Sequence, residues 1–557
     1  MARSSHVAVV VLAVSFVAAT GSGWAATPLT LPPGAREAAG QIDKGTLEGP
    51  VRMLADDLLE GRGAASRGDA LARTYLASVL ELLGLQPAAP GGGWQQRFGI
   101  VGVTSQTPRT WSFGARDKQL ELRDQDDFIA VSGVQEPSAG IAGAELVFVG
   151  YGIRAPEYGW DDFKGADLKG KVAVIMNDDP EWDPALFEGT RRTQHGRWTT
   201  KYEQAAREGA VAAVIIHTTP SAAYPWTVVQ TSWTGEQFDL PHASQGRLTI
   251  RAWITEEASR RLVALAGFDL DSLIRQARSR EFRPVPLGIT TSLVIPTTIT
   301  RGETGNVLGI LTGADPKLKD EVVVFSAHHD HLGVGKPDGR GDTIYNGAVD
   351  NASGVAQVLA IARAFTALPQ RPRRSILFAL VAGEESNLLG SYFLATHPPV
   401  PVERITADIN FDAGNIIGRT RDVAEIGKGL STLDDVLAAA AALQDRVVTD
   451  DPFPEQGSYY RSDQYSFARV GVPGLYFRAG VDVVGRPAGW GRTTANDWLR
   501  AHYHQPSDEL TSDWVFDGMI EDAQLGFLAG LAVADADTPP AWLPGAPFSR
   551  PGLASSR

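Results

Sequence analysis

A chain of 557 residues exceeds what one ordinary hydrophobic core serves, so two domains are expected. Its 43% hydrophobic and 21% charged residues are ordinary for a folded soluble protein. A net charge of −14 and a pI of about 5.3 argue against nucleic acid and against an anionic membrane surface as partners, and leave small or peptide substrates open.

In chain order, residues 1–25 read as a secretory signal peptide. MARSSH carries one Arg, VAVVVLAVSFVAA is short for a membrane span, and GSGWAA offers small residues with cleavage after Ala25. An uncleaved anchor is the alternative. No Cys follows the apolar run, which excludes a lipid-anchored lipoprotein, and no stable membrane insertion is expected after cleavage. Cys is absent from the whole chain. An exported chain of this size without disulfides relies on its core and any bound metal, which suits a bacterial periplasm or secretion. Any metal must be held by His, Asp and Glu.

Residues 45–135 open with helical spacing in VRMLADDLLEGRG and GDALARTYLASVLELLGLQP. Residues 136–290 are rich in short β-type runs, AELVFVGYGI, GKVAVIMND and VAAVIIHTT, with one amphipathic helix at KYEQAAREGA. Six of the 13 Trp fall in this zone: Trp160, Trp182, Trp198, Trp226, Trp233 and Trp253. Residues 291–537 alternate strand and helix. Strands are expected at VVVFSA, SILFALVAG, TADINFD and GVPGLYF. Helices are expected at GVAQVLAIARAFTAL, in LLGSYFLATH, at LSTLDDVLAAAAAL and after Asp513. Such alternation predicts an α/β fold with a mostly parallel sheet sandwiched by helices. Residues 538–557 form a Pro-rich, irregular tail.

The stretch SAHHDHLGVG holds three of the chain's ten histidines. It follows a strand, so His328 and Asp330 share a side and His329 points the other way. Sites in α/β sheets gather at strand carboxyl ends. Glu384 and Glu385 follow SILFALVAG, and Asp412 follows TADINF. Asp350 sits in the Gly-rich turn NGAVDNASG before a helix, and HYHQPSD supplies His502 and His504. Histidine and carboxylate without thiolate suit zinc or a similar ion. Two His and three carboxylates exceed the needs of one catalytic zinc and suit two ions roughly 3.5–4 Å apart sharing one carboxylate. Of the two adjacent glutamates, one can bind metal while the other serves as general base. Singly, each residue has a plainer reading: a hydrogen-bonded His, a solvated helix start, an N-cap Asp. Their convergence at the strand ends of one sheet favours the metal site.

AHHDHLG, NGAVDNASG, AGEESNLLGS, INFDAG and YHQPSD, in that order, resemble the zinc-dependent exopeptidases of the aminopeptidase Y and glutamate carboxypeptidase II type. The opening LADDLLEGRG and the helix ending in LGLQP resemble their usual beginning. The middle zone is similar to the protease-associated domain inserted in many members, giving a β-rich insert at 136–290 between two parts of a peptidase domain. The resemblance implies two Zn2+ per chain. His328 and Asp412 would hold one, Glu385 and His504 the other, with Asp350 bridging. It implies Glu384 as general base, Asp330 as the carboxylate orienting His328, and Tyr503 as a stabiliser of the tetrahedral intermediate. His329, His331 and His502 are expected in packing, loop or pocket roles. Two departures stand out: Val349 before Asp350, and Gln464 after Ser462 and Asp463, in a segment expected near the substrate pocket.

The implied activity is hydrolysis of the N-terminal peptide bond of peptides, with oligomeric state open. A carboxypeptidase or dipeptidase would use the same zinc set and needs a cation for the substrate carboxylate, for which Arg461, Arg478 and Arg500 are candidates. A glutaminyl cyclase or a non-catalytic binding protein is disfavoured by the full ligand set. No Gly-x-Ser-x-Gly elbow and no His-Glu-x-x-His is present. The insert would either cap the cleft or serve as a docking module.

Overall fold

The computed structural model describes residues 29–183 and 186–550. The expected signal peptide, residues 1–25, lies outside the described residues, as do residues 551–557 of the tail.

Two long strands, β1 (Gln95–Ser105) and β2 (Val285–Leu311), lead into the main sheet. Its centre is built from β3 (Val322–His328), followed by helix α1 (Gly354–Ala367), and from β4 (Ser375–Val381), β5 (Ile405–Asn410) and β6 (Gly474–Ala479). The order β4–β3–β5–β6 is parallel throughout. Every residue of β3, β4 and β5 is buried. Continuous Val, Ile, Leu and Phe runs give this result because both faces are covered by helices. The end of β2 joins β4 antiparallel, and β1 pairs with β2 from Ser105–Thr297 to Gln95–Val307.

Helix α1 and helix α2 (Asp517–Asp535) pack one face of this sheet together with Lys44–Leu54. Residues of Leu389–Thr396 and Gln464–Arg469 cover the other. Helix α1 is apolar almost all round, as a helix enclosed between a sheet and other helices must be. The architecture is the expected α/β sandwich.

A second sheet runs in the order Lys118–Arg123, Thr110–Ala115, the start of β2, Ser138–Phe148, Val172–Met176, Ala212–His217, Ile250–Thr255 and Phe128–Ser132. It has its own apolar cores on its two faces. The boundary expected at 136 is therefore corrected: Trp111, Phe113, Leu122 and Phe128 already belong to this core, so the second unit begins at Thr110. Nor does the unit close at 290, because β2 continues unbroken into the main sheet. Burial along β2 records the change. It alternates from Leu287 to Ile295, where one face is covered, and is continuous from Thr304 to Gly309, where both are.

The tail forms no helix or strand among its described residues, yet it is docked. Trp542 donates from Nε1 to the Gly471 carbonyl at 3.0 Å and stacks near Phe548, and Arg550 donates to the Thr406 carbonyl. No helix among the described residues is long and apolar enough to cross a membrane.

Candidate metal centre

The carboxyl ends of β3, β4 and β5 bring the predicted residues together. His328 is the last residue of β3, Glu384 and Glu385 follow β4, and Asp412 follows β5. Asp350 lies in the turn entering α1, and His504 in the loop after Trp490–Ala501. His328 Nε2 stands 3.2 Å from Asp350 Oδ1 and 3.6 Å from Asp412 Oδ1. His504 Nε2 stands 3.1 Å from Glu385 Oε2 and 3.5 Å from Asp350 Oδ2. Asp350 thus offers one oxygen to each histidine. Glu384 Oε2 is 3.9 Å from His328 Nε2, at the edge of the first group.

His329 points away, as expected, with Nε2 3.1 Å from Asp69 Oδ1. His502 is held in its loop by Ser507. His331 was expected only to support the loop. The structure instead sets its Nδ1 2.6 Å from Glu385 Oε1, so that it forms, with Asp350 and Glu385, a second group fit to hold an ion. The first such group is His328, Asp350 and Asp412.

Asp330 reaches further than expected. Its carbonyl lies 3.2 Å from His328 Nδ1, closer than its carboxylate oxygen at 3.7 Å. The carboxylate accepts from the backbone amides of Glu384 and Glu385 at 3.1 and 3.3 Å. It therefore ties the β4 end to the β3 end.

Two positioning residues escaped the sequence reading. Asp508 accepts from the Val349 and Asp350 amides at 2.9 and 3.0 Å and so fixes the turn that carries Asp350. Asp508 closes the YHQPSD motif, but only its place in the fold reveals the contact. Arg62, in the LEGRG stretch, is fully buried beneath the site. Its guanidinium donates to the carbonyls of Leu54, His329, Asn346 and Gly347, clamping the His328 loop to the Asp350 turn. Burial holds Arg62 down at about 10, against the pull of Asp330, Asp508, Asp350 and Glu385.

The electrostatics separate the adjacent glutamates. Burial pushes Glu384 well above the usual carboxylate range, and Glu385 and Asp412 add to it. Burial would raise Glu385 as well, but His504 and His331 outweigh it and hold that carboxyl low. Asp350 is likewise held well down by His328 and His504 against its burial. Adjacent carboxyls driven apart in this way suit different roles.

The donor set fits zinc. His328 Nε2, His504 Nε2, both His331 nitrogens and Glu385 Oε1 are buried and make no well-aligned hydrogen bond, although several of them face one another at short range. Buried polar atoms are normally satisfied, so converging unsatisfied N and O donors point to a cation. The carboxylates here meet only histidines as ion-pair partners among the described residues.

The site opens into a cleft of about 1500 Å3 between the two units, lined by Tyr345, Glu384, Arg461 and Tyr503 on one side and Trp198, Tyr224 and Trp233 on the other. Arg461 donates to the Tyr503 hydroxyl at 2.9 Å. Of the other candidate cations, Arg500 is exposed beside Asp497, and Arg478 lies over Tyr476 outside the cleft lining. The Gln464 departure does not reach the cleft either. Gln464 is fully buried, accepting from Asn410 and donating to the Tyr459 carbonyl.

Residues 306–528 match the model of peptidase family M28. A probable zinc metalloprotease of Pyrenophora teres f. teres (strain 0-1) is 31% identical over 165 residues, 29% of this chain and 31% of that protein. Aminopeptidase NAALADL1 of Mus musculus is 34% identical over 133 residues, 23% of this chain and 16% of that protein. The chain thus spans about a third or less of the length of these relatives. The solved aminopeptidase from Aneurinibacillus sp. strain AM-1 superposes with a TM-score of 0.52 at 18% identity, over 93% of this chain and 99% of that one, a likeness of fold.

Proposed function

We propose that this chain, whose residues 306–528 match peptidase family M28, is a zinc exopeptidase that holds two Zn2+ and removes the N-terminal residue of peptides. The observation that carries this reading is Asp350, whose two oxygens face two separate histidine–carboxylate groups. His328 and Asp412 would hold one ion, Glu385 and His504 the other with His331 beside them, and Asp350 would be shared. Zinc, when bound, polarises the scissile carbonyl and makes water a nucleophile near neutral pH.

The chain's own residues do the rest. Glu384, at the edge of the first ligand group 3.9 Å from His328 Nε2, takes the proton of the attacking water on its carboxylate and returns it to the leaving amine. Asp330 keeps Glu384 and Glu385 in register with His328. Tyr503, its hydroxyl hydrogen-bonded by Arg461, stands in the cleft as a donor for the developing oxyanion. The second unit, read as a protease-associated domain, caps the cleft and favours chain ends. The signal-like N-terminus and the lack of Cys support export.

A second reading, a carboxypeptidase or dipeptidase, is favoured by Arg461 and Arg197 in the cleft wall, neither of which has a carboxylate partner within ion-pair distance among the described residues. Turnover by the purified protein on aminoacyl and N-blocked peptide substrates, with chelator and then with zinc restored, separates the two. Cleavage of free-amine substrates alone, lost to chelator and regained with zinc, is expected. Cleavage of N-blocked peptides from the carboxyl end would replace the first reading with the second. No turnover and no bound zinc would overturn both.

A further inference from the structure

We infer that the second unit completes the metal centre: Ser232 positions His504 from behind, so one of the proposed zinc ligands is oriented by a residue outside the peptidase unit. This inference rests on the two-zinc reading. His504 turns Nε2 toward Glu385 and Asp350, which leaves Nδ1 on the opposite edge of the ring. Ser232 Oγ lies 3.3 Å from that Nδ1, across 272 residues of sequence. With Nδ1–H donating to the hydroxyl oxygen, Nε2 carries the free lone pair, which is the tautomer that can ligate.

His504 needs such support. It sits in a loop at φ 56, a left-handed conformation that side-chain-bearing residues adopt reluctantly. Its ring is otherwise held by stacking on Tyr503, at 3.9 Å between centroids, and by the edge of His331 at 5.6 Å. Stacking sets the ring plane but does not choose which nitrogen is protonated.

Ser232, by contrast, is placed by a packed core. It ends the helix Trp226–Ser232. Trp226 at the other end donates to the Gln125 carbonyl at 2.8 Å. Trp233, the next residue, is buried against Trp198 and Trp253, at 5.0 and 5.9 Å between centroids. The backbone that carries the hydroxyl therefore moves only with the second unit. Filling the second zinc position and seating the second unit are consequently linked, and linkage is reciprocal.

The test uses the full chain, stripped of metal and titrated with zinc against a chromophoric chelator. Ser232→Ala, Ser232→Thr and Thr231→Ala are compared with the parent, with circular dichroism confirming equal folding. The parent is expected to bind two equivalents. Ser232→Ala should keep the first and bind the second about ten-fold more weakly, the low end for loss of an outer-shell partner. Ser232→Thr retains the hydroxyl and should restore the parent affinity. Thr231→Ala, whose hydroxyl bonds its own helix, should match the parent. Parent-like affinity in Ser232→Ala, or equal loss in Ser232→Thr, would overturn the inference and leave the two-zinc reading standing. A parent that binds no zinc would overturn that reading and the inference with it.

Discussion

Glu384 and Glu385 are chemically identical neighbours whose surroundings divide them. Burial, with Glu385 and Asp412, holds Glu384 up against the pull of His328, while His504 and His331 hold Glu385 down against its burial. Glu384→Gln should lower kcat about 100- to 10,000-fold while both zinc equivalents still bind, as read by steady-state kinetics beside a zinc titration. Retained turnover would remove Glu384 from the base role. Asp508 offers a second test. Both its oxygens accept backbone amides beside Asp350, and an Asn in its place can accept only one of them. Asp508→Asn should cost about 1–3 kcal/mol in stability and weaken zinc at both positions, because Asp350 faces both. Calorimetry and a chelator competition check the two halves. At this scale the sequence is readable where a residue type declares its chemistry. His328, Asp350, Glu385 and Asp412 are of metal-ligating types, and their convergence at the strand ends of one sheet made a candidate metal site legible. Asp508 and Arg62 work through backbone contacts, which residue type does not announce. His331 was legible as a donor but not as a neighbour of Glu385, since loop geometry decides that.

Among elements, the parallel strands were legible because burial on both faces leaves an unbroken apolar run, as in VVVF and ILFALV. The strand β2 was not, since Pro286, Gly288, Pro296, Gly302 and Gly305 break the pattern that marks a strand. Thr110 opens the second unit without any shift in composition, so that boundary was missed. Helix α2 shows why small residues sit where they do. A Cβ at Gly526 would meet Phe411 Cζ at 2.3 Å, and one at Gly530 would meet Phe325 Cζ at 2.2 Å. Gly to Ala in a helix gains about 1 kcal/mol in propensity. Overpacking a core costs about 1–3 kcal/mol. Packing should win, so Gly526→Ala and Gly530→Ala are each expected to lower the unfolding midpoint in scanning calorimetry. A rise in either would mean that α2 shifts off the sheet freely.

Across the whole molecule, the second unit carries an acid-sensitive residue. His217 is buried among Tyr224, Trp226 and Trp253, and burial pushes its imidazole down to about 4. Between that value and 6.5 the unfolded chain takes a proton that the folded chain refuses. Stability must therefore fall as pH falls through this window, on the order of 3 kcal/mol from this group. His217→Gln should flatten the decline, measured as denaturant midpoints from pH 7 to pH 4. An unchanged slope would mean that the aromatic surroundings of His217 open to admit water before the chain unfolds.

The strand β2 belongs to two sheets at once, and β1 runs beside it through the crossing. Such a ribbon is a girder, not a pivot. Spreading the jaws of the cleft means twisting a hydrogen-bonded ladder, whereas a loop would swing open with few bonds lost. The gap then behaves as a fixed gauge. Under the proposed exopeptidase activity, a cleft of set width would admit a slender chain end and turn away a folded body.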